Sequence, residues 1–518
     1  MRALAFAVAL LSSVPAFAAG FTDIGNDIEA VPDGAVAVDG YFRARGEVLE
    51  NLDLDRGPDP SGVPLYPVPL GDPTGQVLTH ADFRLRTDIA AYTPFVDAAV
   101  KARVDVLDNL AVGSTPDGPP QATVTQRPID AISLRRVYAE LLTPFGLLAV
   151  GRMGAEWGTG MLINGGDCYD CDSGDAADRI AFVTPIARHL WAVAYDVGFV
   201  GPQAQRRAGH RVVDLAPSDD VRGVSFAALK YRTPRSVVRR LAVDRATLDY
   251  GAVFSYRWQN ADVPASYLPT AEPVPIDDAQ VVDRGLRAWI VDGYVDFTFP
   301  YLKIRAEAAY LEGVIEEPSL IPGVRYGVPL TSQQWGGVLE TRVSGRTWPV
   351  GFGVDGGAAS GDAAFGFGAF PGLLEPAPEA GELDGPQANP PFDNTVNNFR
   401  FHSDYRVDRI LFREIIGTVT DAVYVRPHFD WQLGRTAGGV FLLEVAGVAS
   451  WALQPTSTPS GERALGMEID PSIRYVNGRF AVAADYALFV PGSAFDNPDA
   501  GLSAQRAQVG RLRMNVGF

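Results

Sequence analysis

The chain has 518 residues, 54 of them Gly and 39 Pro, with 20% charged residues, a mean hydropathy of +0.03 and a formal net charge of −18. Such acidity excludes nucleic acid as an expected partner, because phosphate binding needs a basic surface. No stretch reaches the roughly 18 uninterrupted apolar residues of a transmembrane helix.

The first residues, 1–18, carry Arg2, an apolar core and the small-x-small triplet Ala16-Phe17-Ala18. This is the pattern of a signal peptide cut after Ala18, so the mature chain is expected to be exported. A polar linker follows over 19–35. From 36 onward the sequence alternates. Val38, Gly40, Phe42, Ala44, Gly46 and Val48 fall on one face of a strand, and Asp39, Tyr41, Arg43, Arg45 and Glu47 fall on the other. The segment 78–92 repeats this with Phe83, Leu85 and Ile89 against His80, Asp82, Arg84, Arg86 and Asp88, and 98–110 sets Val100, Val104 and Val106 against Lys101, Arg103 and Asp105. A soluble sheet has no use for arginine and aspartate packed so densely along one side of long strands; a barrel wide enough to hold water does.

The same test finds strands to the end of the chain, about eighteen in all, with sixteen the alternative count. Links of a few residues, such as 93–97, 143–146, 185–188 and 300–301, alternate with long Pro/Gly/Asp-rich segments such as 51–77, 111–131, 158–177 and 359–421. One link, 233–246, is of middling length. The final strand places Gly510, Leu512, Met514, Val516 and Phe518 on one face and Val509, Arg511, Arg513 and Asn515 on the other. A closed barrel needs such a strand to pair with the first and remove both edges. The expected fold is therefore all-β: one closed antiparallel transmembrane barrel over 36–518, with long outer loops and short periplasmic turns.

Inside that barrel the alternation predicts a lumen lined by Arg43, Arg45, Arg84, Arg86, Arg103, Arg136, Arg152, Arg305, Arg342, Arg426, Arg511 and Arg513. Carboxylates on the same faces balance them, so most are expected to form salt bridges across the wall. The longest link, 359–421, ends in FRFHSDYRVDRILFREIIG, where Val407, Leu411 and Ile415 recur at helical spacing, with Ser403 as a candidate cap and Gly417 as the stop. A short helix is expected there. It would either fold into the barrel as a constriction carrying Arg406, Asp408, Arg409, Arg413 and Glu414, or rest outside on the rim.

The two cysteines, Cys168 and Cys171, are expected to form a disulfide in an exported chain. Around them stand Asp167, Asp170, Asp172, Asp175 and Asp178. Their hard oxygens offer a Ca²⁺ site, the only cofactor the sequence raises, or else an acidic solvated loop. A zinc site would want four ligands, and no histidine lies nearby. Same-face pairs His80 with Asp82 and His428 with Asp430 lack any Ser-centred motif, so no enzyme is expected, with a barrel hydrolase as the outlying reading.

Together, the leader, the alternating strands and Phe518 resemble the bacterial outer-membrane porin class over nearly all of the mature chain. GRMGAEWGTGML followed by DRIAF is loosely similar to the alginate-export type of eighteen-stranded barrel. The resemblance implies an outer membrane of the Gram-negative type, contact with its lipid, and delivery to the barrel assembly machinery through Phe518. It further implies passive passage of small solutes or an anionic polymer, leaves a homo-oligomer open, and has as its alternative a plugged structural or adhesive barrel with acidic loops that bind cations or partners. The balanced lumen charge and the cysteine-bearing loop depart from the alginate type.

Overall fold

The computed structural model describes residues 36–71, 76–93, 96–111, 132–205, 212–263, 281–319, 324–345, 348–367, 379–382, 387–390, 393–436 and 438–518. The expected signal peptide and the linker over 19–35 lie outside the described residues, as does most of the long link expected over 111–131.

Eighteen strands form one antiparallel sheet. They are β1 (Val36–Glu50), β2 (Val77–Tyr92), β3 (Ala98–Ala111), β4 (Ile132–Thr143), β5 (Gly146–Gly154), β6 (Ala176–Ile186), β7 (His189–Gly198), β8 (Val221–Lys230) and β9 (Thr247–Gln259). The second half holds β10 (Leu286–Phe299), β11 (Leu302–Ile315), β12 (Leu330–Ser344), β13 (Val350–Ala359), β14 (Ala422–Thr436), β15 (Gly439–Ala452), β16 (Ala464–Asn477), β17 (Phe480–Pro491) and β18 (Ala507–Gly517). Each strand pairs with its neighbours in sequence, and β18 returns to β1, where Glu47 lies opposite both Arg511 and His80. The sheet is thus a closed barrel without edges.

The period of two sorts the side chains as the sequence predicts, but inverted relative to a soluble protein. Val38, Val48 and Leu512 point outward and are exposed, whereas Arg43, Arg84, Asp82 and Asp105 point inward and have no exposed surface. One rim carries the short links and the last residue. There the Phe518 amide donates to Gly40 O at 3.0 Å and the Gly40 amide donates to Phe518 O at 3.3 Å. Only glycine fits at position 40, since a Cβ would come 2.6 Å from the Phe518 ring.

Three local expectations need correction. The strand expected over 145–157 stops at Gly154, and Trp157 turns inward, buried edge-on against Tyr294 with ring centroids 5.1 Å apart. The middling link 233–246 holds a helix, α1 (Pro234–Ala242), whose first turn starts on Pro and is capped by Thr233 Oγ1 accepting from the Ser236 amide at 3.4 Å. The helix expected toward Gly417 shrinks to one π-helical turn, Leu411–Ile415. Its entry is held from outside: the amides of Arg409, Ile410 and Leu411 donate to the Glu468 carboxylate on β16 at 2.9, 2.9 and 3.1 Å. The amides of Phe412 and Arg413 donate to Asp408. Carboxylates therefore take the orphan donors that a longer helix would satisfy within itself. Ser403 is no cap; its hydroxyl lies 3.2 Å from that of Ser173. Gly417 does end the turn, with φ +87°.

Candidate functional site

The wall formed by β1–β4 projects a row of inward arginines, and the link 155–175 folds inward to meet them. Its Cys168–Cys171 disulfide, with Cα atoms 5.1 Å apart, closes a turn whose carbonyls face the wall. Arg43 donates to Tyr169 O at 3.2 Å and to Cys171 O at 3.1 Å, and Arg84 donates to Cys171 O at 2.5 Å and to Asp172 O at 2.8 Å. Arg86 donates to Gly166 O at 2.6 Å while holding Asp105 with two bonds of 2.8 Å, and Arg136 reaches Gly165 O. Arg103 holds Asp88 bidentately at 2.6 and 2.8 Å and pairs with Asp167. Arginine suits this role because its planar fork can serve a wall carboxylate and a loop acceptor at once.

A second inward piece, 393–421, locks onto the first. Asp404 accepts from the amides of Asp172 and Ser173 at 2.8 and 2.9 Å and from Ser173 Oγ at 2.6 Å, and the His402 amide donates to Met161 O at 2.7 Å. Arg413 pairs with Asp170 at 2.7 Å, and so does Arg513 of β18; Arg45 and Arg511 stand 3.5 and 3.6 Å from the same carboxylate. Asp172 faces Arg45 at 2.9 Å, Arg406 at 2.9 Å and Arg43 at 3.2 Å. Burial by itself would raise the Asp170 carboxyl, but Arg413, Arg513 and Arg511 overturn this and leave it well below the ordinary carboxylate range. Asp172 is lowered in the same way, chiefly by Arg45 against its burial.

Beneath these charges the second piece has its own apolar core. Ile410, Leu411 and Phe412 are buried with Leu49, Leu52, Leu54 and Phe489, and each such side chain contributes about 2 kcal/mol of apolar burial. Asp408 sits in this core. Burial, with Asp470 facing it, pushes its carboxyl up to about 7. The piece then crosses to the far wall, where Tyr405 donates to Glu340 of β12 at 2.8 Å. The two inward links thus span the interior from β1 to β12.

Beyond that bar, Asp292, Glu307, Glu468 and Asp470 are buried, but several other inward charges of β11–β16 form salt bridges that stay partly wet. Arg305 pairs with Glu340, Arg342 with Asp430 at 2.7 Å and Arg426 with Asp355 at 3.0 Å, and the Arg342 side chain is 46% exposed. Across the interior, Arg409 reaches Asp485 at 3.1 Å and Glu414 lies 3.5 Å from Arg511.

Eleven of the twelve arginines expected in the lumen face inward. Arg152 does not. It shares the outward face of β5 with the exposed Val150, while Ala149 and Met153 are buried inside, and it holds Asp178 at 2.7 and 2.8 Å on that outer face. The five aspartates do not gather for Ca²⁺. Asp167, Asp170 and Asp172 are each neutralised by arginine, Asp175 accepts from the Asn164 amide at 3.0 Å, and Asp178 is outside the barrel wall. Guanidinium groups occupy the positions that a cation would take. Of the histidine pairs, His80 stays 3.5 Å from Asp82, whereas His428 turns to Asp355 at 3.4 Å and leaves Asp430 to Arg342. Sequence reading passed over Asp404 and placed Glu468 only among the inward carboxylates; both organise the second piece by accepting backbone amides, a role that nothing in their local sequence marks.

No protein-family model matches the chain, and no curated protein does. Among solved structures the chain is similar to OccK9 (OpdG) of Pseudomonas aeruginosa, at 12% identity over 93% of this chain and 98% of that one, with a TM-score of 0.46. It is also similar to a BenF-like porin of Pseudomonas fluorescens Pf-5, at 8% identity, 93% and 98% coverage and a TM-score of 0.44. A third likeness is to OccAB3 of Acinetobacter baumannii, at 10% identity, 93% and 99% coverage and a TM-score of 0.43. At such values the barrel architecture rests on the strand pairing itself.

Proposed function

We propose that this chain is an outer-membrane channel of a Gram-negative-type bacterium that passes small solutes through a narrow, charge-lined interior. The supporting observation is the meeting of the two inward links at Asp170 and Asp172, which holds a constriction across an otherwise polar barrel. A closed eighteen-stranded barrel with its apolar face outward suits a bilayer, since every backbone group is satisfied within the sheet. A barrel of that size leaves an aqueous passage unless loops fill it. Phe518, paired to Gly40 at the short-link rim, is the candidate contact for the assembly machinery.

Small solutes fit better than an anionic polymer. The arginines of β1–β4 that a polyanion would meet are already occupied by Asp82, Asp88, Asp105 and the carbonyls of the cysteine loop. The partly exposed pairs Arg342–Asp430 and Arg474–Glu444 are of opposite sign, which favours weak, non-sticking contact with a passing solute.

The test is single-channel recording of the refolded mature chain in a planar bilayer under a salt gradient. Small discrete opening steps support the channel. Silence from a barrel shown to be folded would overturn it in favour of a plugged structural or adhesive barrel.

A further inference from the structure

The link between β7 and β8 lies on the long-link rim and carries a short hairpin, in which Gln203–Gln205 pairs with Val212–Asp214. One carboxylate oxygen from each of Asp214, Asp219 and Asp220 lies within 4.8 Å of the others. Asp219 has no exposed surface, and neither of its carboxylate oxygens has a hydrogen-bond partner among the described residues. Its backbone, by contrast, is fully tied. The Asp219 amide donates to Ala216 O at 2.9 Å, Gln259 of β9 donates to Asp219 O at 2.7 Å, and the Ala261 amide donates to Ser218 O at 3.3 Å. The turn is therefore fixed, and it aims an unpartnered carboxylate at two others.

Among the described residues, the neighbours do not supply the missing charge. Arg222 approaches Asp220 only to 4.0 Å and spends its Nη2 on Pro217 O at 2.6 Å. Asp262, on the adjoining link, is taken by Arg284 at 2.6 Å. Asp214 accepts from the Ala216 amide at 2.8 Å and Asp220 from the Val200 amide at 3.4 Å, which leaves each with a free second oxygen direction. Gly201, at φ +84°, lets the backbone come close over the group, and a Cβ there would collide with Asp219 Oδ2. In the cysteine loop Asp167, Asp170 and Asp172 are each closely paired with arginine; here, among the described residues, three carboxylates converge with no arginine closer than Arg222 at 4.0 Å.

We propose that Asp214, Asp219 and Asp220 form a binding site for a hard divalent cation, Ca²⁺, on the long-link rim. A buried carboxylate without a donor persists where a cation completes it. Ca²⁺ takes about six to eight oxygens at roughly 2.4 Å, so oxygens that lie within 4.8 Å of one another can share one ion. Carboxylates with water completing the shell suit Ca²⁺ better than Mg²⁺, which demands near-ideal octahedral geometry. The bound ion would tie the hairpin link to the outer end of β9 through the Gln259–Asp219 contact.

The experiment is isothermal titration calorimetry of the folded chain in detergent with CaCl₂ and, separately, MgCl₂, with folding verified by heat-modifiable gel migration. Wild type is expected to bind one Ca²⁺ saturably, with a Kd of about 10⁻⁴–10⁻³ M as in extracellular modules, and Mg²⁺ at least about tenfold more weakly. Asp219→Asn should remove the heat. Asp214→Asn, at a half-buried position, should weaken binding at least about tenfold in a barrel shown to be folded. Asp175→Asn in the cysteine loop should leave binding unchanged. Absence of Ca²⁺-dependent heat in folded wild type, or unaltered binding in the Asp214→Asn variant, would overturn the site.

Discussion

The wall of β1–β4 with β18 and the wall of β10–β16 are built from the same alternation and the same residue types, yet their arginine–carboxylate pairs differ in how far they are covered. On the first, Arg43, Arg84 and Asp82 have no exposed surface, and the two arginines each serve the cysteine loop as well as a wall carboxylate. On the second, Arg342 with Asp430 and Arg474 with Glu444 remain half in water. The difference comes from what covers the wall. Folding the cysteine loop and the Phe399–Gly417 region onto β1–β4 strips water from the arginines, so their pairing becomes a structural requirement there and a weak, exchangeable contact opposite.

The largest effect separating the two walls is expected from Asp170→Asn. It leaves Arg413 and Arg513 buried without their shared carboxylate, and breaking a buried pair in this way costs about 3–5 kcal/mol. Urea unfolding of the barrel in detergent reads it. A loss below about 1 kcal/mol, the size of an exposed pair, would erase the distinction between the walls.

A pH dependence sharpens the comparison within the covered half. Asp408 has its carboxyl raised from 3.8 to about 7 by burial and by Asp470, so its contribution to holding the second piece in place is fully present below about 4 and is lost as pH rises through about 7. Asp170 and Asp172 are lowered, so their contribution is present above about 4 and fails only as pH falls below it. Protection of the 399–417 amides from hydrogen exchange, after correction for intrinsic rates, should therefore be greater at pH 5 than at pH 8. Asp408→Asn should flatten that trend, and an unchanged slope in the variant would assign it to other groups.

The smallest effect on stability, within about 1 kcal/mol, belongs to Arg342→Ala on the wet wall. The same change should shift the reversal potential toward cation preference, because Asp430 then faces the water alone. A large stability loss with no shift in selectivity would place Arg342 among the structural charges.

The barrel was legible because an apolar outer face and a polar interior impose a period of two on every strand, and the link lengths alternate with it. The lesson of Arg152 is that parity outranks chemistry: Val150 and Arg152 share a face, and Val150 decides it. The constriction was legible only as a change of character near Val407, Leu411 and Ile415. How it folds depends on Glu468, which lies 57 to 59 residues away from the amides it accepts. The grip on the cysteine loop was out of reach for the same reason, since Asp170 and Arg413 are 243 residues apart and only the closed barrel brings them together. Four of the five aspartates clustered in sequence thus proved to be arginine partners, while Asp214, Asp219 and Asp220, less conspicuous in their link, are the ones that converge.

The direct test of the constriction is single-channel conductance of wild type against a variant whose 399–417 residues are replaced by a short Gly-Ser linker, both shown to be folded. With the bar across the barrel removed, conductance should rise several-fold. Equal conductance in the two would contradict it, because the passage would then be limited elsewhere.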